Sequence, residues 1–161
     1  VRPALAYDWA LKPGYVAQEP LTVVTNAFLH DPDSFAHIGT NLVSLWIFGR
    51  MLEPLIGAGR MAGLLTVSIL SASTSVLLLE APGTYTIGFS GAIFGLIGAV
   101  LAVQRSLRMP VGGTLVLLGV NALMPLLVSN ISWQGHLGGF IGGLLWGLLV
   151  LGPRLKRERI A

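Results

Sequence analysis

Polar residues in this chain gather in four short clusters, Arg50 to Arg60, Glu80 to Gly83, Arg105 to Pro110 and Ser129 to Ser132, and the blocks between them are almost free of charge. A helix needs about 20 apolar residues to cross the hydrocarbon of a bilayer. Blocks of that length fall at 61–79, 85–104, 111–129 and 133–152. A fifth, at 37–56, carries Asn41 inside and Arg50 and Glu53 near one end, so a hydropathy window ranks it last. The dense run Leu42, Val43, Leu45, Trp46, Ile47 and Phe48 still marks it as a span. The pattern predicts an all-α membrane protein with a bundle over 37–152. An outer region, 1–36, precedes the bundle, and a basic tail, 153–161, follows it. Pro3, Pro13, Gly14 and Pro20 argue against a span in the outer region, and Asp33 or Ser34 is placed to cap the first long helix.

Composition agrees. Of 161 residues, 53% are hydrophobic and 11% charged, against about 25% charged in soluble domains. There is no cysteine, which excludes disulfides and a thiolate metal site. No metal and no cofactor is expected. A pI near 9.8 raises the question of nucleic acid. The basic residues, however, fall in alternate loops: Arg50, Arg60, Arg105, Arg108 and four tail residues share one side, and the other holds only Arg2 and Lys12. That asymmetry is the positive-inside signature. The expected partner is therefore the lipid bilayer and not nucleic acid. It predicts a multi-pass protein of the plasma membrane with a cytoplasmic tail, and with His37, Ser90 and His136 in the outer half.

Chemistry enters at Ser90. Gly88 and Gly91 flank it without side chains that would shield the hydroxyl, and Gly91 and Gly95 put a flat face on the helix that follows. His136 lies early in the last span, where ionisable groups are costly. Gly139, Gly143 and Gly147 recur behind it every four residues, so the two glycine faces can pack closely and bring imidazole to hydroxyl. A serine paired with a histidine base is a nucleophile. None of the seven carboxylates falls inside these two spans, so the arrangement reads as a dyad. An oxyanion would need preplaced donors, and His37 and Asn41 offer side-chain N–H groups from one helical face at i, i+4. Each feature also has a bland reading: small residues at helix contacts, an interfacial histidine, an asparagine bonded to a neighbouring helix.

These residues resemble the motifs of the rhomboid intramembrane serine proteases. Gly88-Phe89-Ser90-Gly91 is similar to their G-x-S-G, and His136-Leu137-Gly138-Gly139 with Gly143 is similar to H-x-x-G-x-x-x-G. His37 to Asn41 fits H-x-x-x-N, and Gly49 to Glu53 fits G-x-x-x-E. The resemblance runs from about His30 to Gly152. It implies a six-helix core, Ser90 as nucleophile, His136 as general base and an oxyanion site from His37, Asn41 and the Ser90 backbone N–H. The implied substrates are transmembrane proteins cut in or near their spans. Leu21-Thr22 stands where family members often carry Trp-Arg, and Phe94 where Tyr is frequent; Phe94 would still stack on His136, without a hydroxyl.

Two other readings stay open: a catalytically inactive rhomboid-like binder of transmembrane clients, and a small transporter using Asn41, Asn121 and His136 as a polar path. The oligomeric state is open too. The family's first span has no counterpart in this chain. With five spans the ends lie on opposite sides, and the region before the first span carries no signal-peptide pattern to export it. An upstream span of about 20 apolar residues is therefore expected in the natural protein.

Overall fold

The computed structural model describes residues 7–127 and 131–155. Ser129 and Asn130 of the fourth polar cluster, and Lys156, Arg157 and Arg159 of the tail, lie outside the described residues. Helices account for nearly all the regular structure. A short α1 (Thr22–Thr25) runs into a 3-10 turn (Asn26–Phe28), and the long helices follow as α2 (Phe35–Ile56), α3 (Ala58–Leu79), α4 (Ser90–Ser106), α5 (Gly112–Leu127) and α6 (Trp133–Trp146). One wider turn, Gly147–Leu151, carries α6 on to Leu155. The only extended pairing among the described residues is a single antiparallel bridge, Leu11 with Thr86.

Two helices are long and apolar enough to cross a membrane by that test alone: α3, and α6 with its extension. Helices α4 and α5 are apolar but shorter, at 17 and 16 residues. Helix α2 has the length, 22 residues, but its polar positions keep it below the same threshold. The predicted bounds differ most at α4, which starts at Ser90 and not at Tyr85. Tyr85 to Ile87 approach it as extended chain, because Thr86 pairs with Leu11, and Gly88 then turns the chain with a φ of +118°, a conformation that L side chains resist. Ser34 occupies the cap position of α2 but makes no capping bond, and Asp33 instead donates its backbone N–H to Asp31.

The turn between α2 and α3 is one residue long. Pro54 sits in the last turn of α2, and Gly57, at φ +80°, donates to the Glu53 carbonyl at 2.8 Å and reverses the chain. Helix α4 then runs through the middle of the bundle, buried on every side from Gly91 to Val100. From Gly91 to Val103 it carries no polar side chain, so it can be enclosed on all sides without burying an unpaired polar group. Below the glycine-rich half it meets Phe48, Leu52, Leu64 and Leu151 in the main apolar cluster. Helix α5 is the contrast: Thr114 is its only buried residue, and Leu115, Val116, Val120 and Leu126 lie open.

The outer region folds over one end of the bundle. Lys12 is buried there, paired with Glu19 at 2.7 Å and lying 4.4 Å from the centre of the Tyr7 ring. The hydrogen bond to Glu19 raises the lysine above its ordinary value, so the charge is kept in spite of burial. Asn26 ties this layer down, donating to Thr22 at 2.6 Å and to Ser73 Oγ on α3 at 3.1 Å, while its carbonyl accepts from Gly88 N–H at 2.9 Å.

Candidate active site

Ser90 is the first residue of α4, delivered there by the tight chain at Gly88. His136 lies in the first turn of α6, whose start is fixed by Ser132 accepting a bond from the Gly135 N–H at 3.2 Å. The two helices cross with almost no side chain between them. A Cβ on Gly139 would strike the Gly91 carbonyl, one on Gly143 would strike the Gly95 carbonyl, and one on Gly147 would lie 2.5 Å from Ala102 Cβ. The same run serves a second face, where Gly138 and Gly142 admit Ser71 and Ser75 of α3. Glycine inside a helix costs about 1 kcal/mol relative to alanine. Helix α6 carries five buried glycines in 14 residues, and this double close approach is what offsets the penalty.

At the end of that crossing Ser90 Oγ lies 2.9 Å from His136 Nε2. The Phe94 ring stacks on the imidazole with centroids 4.1 Å apart and planes 12° from parallel. The other ring nitrogen, Nδ1, is buried and meets no protein partner among the described residues. No carboxylate among the described residues bonds the ring, and Phe94 stacks on its face. For a neutral ring that accepts at Nε2, the proton sits on Nδ1. A cavity of about 320 Å³ opens beside His136, lined by Phe94, Leu118, Pro125, Trp133 and Phe140.

The structure brings His37 to the same place by a different route. Its imidazole lies against Gly88, close enough that a Cβ there would be 2.7 Å from Nε2. Nδ1 of His37 accepts from the Asp31 N–H at 3.3 Å, which leaves Nε2 carrying the proton. His30 packs edge-on against it at 5.0 Å, and burial lowers the His30 pKa from its ordinary value. Asn41 is buried and spends one amide hydrogen on the His37 carbonyl at 2.9 Å. Neither side chain bonds Ser90 directly. Asn26, which holds Gly88, was not among the sequence candidates; an Asn in a segment of mixed polarity gives no signal that its partners lie 47 and 62 residues away.

Residues 17–153 match the family model described as the rhomboid domain. Similar proteins agree: the chain is 36% identical over 114 residues to "Rhomboid protease GluP" of Bacillus subtilis, covering 67% of this chain and 22% of that one. It is 31% identical to "RHOMBOID-like protein 5" of Arabidopsis thaliana, covering 73% and 40%, and 32% identical to "Rhomboid protease GlpG" of Serratia proteamaculans, covering 76% and 45%. The chain thus spans less than half the length of these three relatives. The protein belongs to the rhomboid family.

Proposed function

We propose that this chain is the catalytic bundle of an intramembrane serine protease that hydrolyses peptide bonds in or near the spans of transmembrane proteins. The observation that carries the reading is the 2.9 Å approach of Ser90 Oγ to His136 Nε2, where two glycine-faced helices cross. In this reading all five long helices are membrane spans within 37–152, region 1–36 covers the outer end, and the tail from 153 onward is cytoplasmic. The positive-inside asymmetry supports that orientation.

The chemistry follows from the geometry. Ser90 Oγ attacks the substrate carbonyl carbon while its proton passes to His136 Nε2. The carbonyl oxygen becomes an oxyanion near the start of α4, where the Ser90 N–H has no partner within the helix. His37 Nε2–H and the free amide hydrogen of Asn41 are the further donors. The carbon–nitrogen bond breaks, and the departing amine takes the proton from His136. Water then attacks the acyl ester and gives a proton to the same nitrogen, which passes it to Ser90 Oγ as the carbon–Oγ bond breaks. Gly88 matters here because a side chain there would strike the His37 imidazole, and Gly91 because it lets the Gly135 backbone approach beside the pair.

The test is cleavage of a panel of single-span proteins by the purified, reconstituted chain. A cut in or near a substrate span, absent with Ser90→Ala, is expected; binding without cleavage by the unaltered chain would turn the reading to an inactive binder of clients. Within it, Asn41→Ala is expected to lower kcat by about 10²-fold with little change in KM, since the donor acts as charge develops. A change confined to KM would move Asn41 to a purely structural role.

A further inference from the structure

Glu80, the residue that ends α3, touches neither Ser90 nor His136, yet its carboxylate joins the segments that lead to each. Oε2 accepts from Thr86 Oγ1 at 2.9 Å and from Thr84 Oγ1 at 3.2 Å. Oε1 accepts a short bond from Ser132 Oγ. Thr86 lies four residues before Ser90, and its backbone exchanges both hydrogen bonds with Leu11. Ser132 is the cap of α6, four residues before His136, and its backbone carbonyl accepts from the His136 N–H at 3.3 Å. Thr86 and Ser132 donate hydroxyl hydrogens to a charged acceptor, the stronger class of hydrogen bond, while Thr84 shares its one hydrogen with the Ala81 carbonyl at 2.9 Å. Helix α6 has no acidic residue in its own first turn. Glu80 supplies that charge from another helix, on the side where the helix dipole favours it.

We propose that Glu80 is a positioning residue for the dyad: a carboxylate clamp that fixes the chain entering α4 relative to the start of α6, and so sets the separation of Ser90 from His136. The proposal rests on reading those two residues as the catalytic pair. The clamp is distinct from the fold of α6, because Ser132 caps the helix through its acceptor lone pair and keeps that role when the carboxylate is gone. Removing Glu80 releases the relation between two segments and leaves each segment formed. A nucleophile misplaced by 1 Å costs about 10²-fold in rate, so small slippage is enough.

The experiment uses the full chain in liposomes, as wild type, Glu80→Gln, Glu80→Ala, Ser132→Ala and the Glu80→Ala/Ser132→Ala double variant. Three quantities are measured: kcat and KM on a single-span substrate, the rate of Ser90 labelling by a fluorophosphonate, and the thermal midpoint. Glu80→Ala is expected to lower kcat and labelling rate together, by up to about 10²-fold, with KM and midpoint held. Glu80→Gln, which keeps the shape and one acceptor, is expected to recover part of the loss. The double variant is expected to lose less than the product of the two single losses, because both changes break one connection and Ser132→Ala adds only the loss of the cap. Should the alanine variant fail to fold, the Glu80→Gln kcat and labelling rate carry the same decision. Wild-type rates in the Glu80 variants, or losses that simply multiply in the double variant, would overturn the clamp while normal Ser90 labelling in the wild type left the dyad standing. Wild-type cleavage by Ser90→Ala would overturn both.

Discussion

Replacing Ser90 or His136 by alanine is expected to lower turnover of a transmembrane substrate by at least about 10⁴-fold, and the double variant to be no worse than either single one. The reason is geometric. On the proposed mechanism the 2.9 Å contact makes the two side chains one device: the hydroxyl without the base is a poor nucleophile, and the base without the hydroxyl has nothing to activate. Losses should therefore overlap and not multiply. Since no carboxylate among the described residues meets Nδ1 of His136, the angle of the ring is set by the Phe94 stack and the helix, and no third residue is expected to match these two in effect. The measurement is single-turnover cleavage in liposomes by the three variants at equal amounts of inserted protein. Turnover by Ser90→Ala near the wild-type rate would refute the dyad.

Gly139→Val carries the second large effect, a loss of at least about 10²-fold, through backbone separation and without touching either reacting group. A Cβ at residue 139 falls on the Gly91 carbonyl, with Gly91 Cα at 3.2 Å behind it, and a backbone carbonyl cannot swing aside as a flexible side chain can. The helices must move apart. Gly91 is the neighbour of Ser90, and Gly139 is less than one turn from His136, so the displacement is delivered to the dyad undiminished. Gly59→Val is the control, because nothing lies within 4 Å of a Cβ there. Cleavage should survive in the control and fail at residue 139, with both chains still inserted as judged by protease protection of end tags. Wild-type activity in Gly139→Val would remove the close-packing argument.

Much of this arrangement was readable in advance because it is local. The spacing of Gly91 with Gly95, and of Gly139 with Gly143, gives a helical face directly, and the structure pairs those faces residue for residue. What stayed hidden is pairwise and distant. The interlocked glycines Gly138 and Gly142 follow the same period one residue out of step, and one run of glycines cannot announce that it serves two neighbours. The start of α4 was misplaced because Tyr85 and Ile87 look like more apolar span; the bridge from Thr86 to Leu11, 75 residues away, is what keeps that stretch extended. Glu80 read as part of a polar turn. Its bond to Ser132 crosses 52 residues, and neither residue type suggests the other.

The late start of α4 has a consequence for depth. At about 1.5 Å per residue its 17 residues reach roughly 25 Å, short of the ~30 Å hydrocarbon layer. On the proposed topology, with the far end at the cytoplasmic face, the hydroxyl lies a few ångströms beneath the opposite boundary. Extended chain and the outer region fill the shortfall. The length of one helix thus acts as a dipstick: each added turn would raise the nucleophile by about 5.4 Å towards bulk water, and each lost turn would sink it by as much.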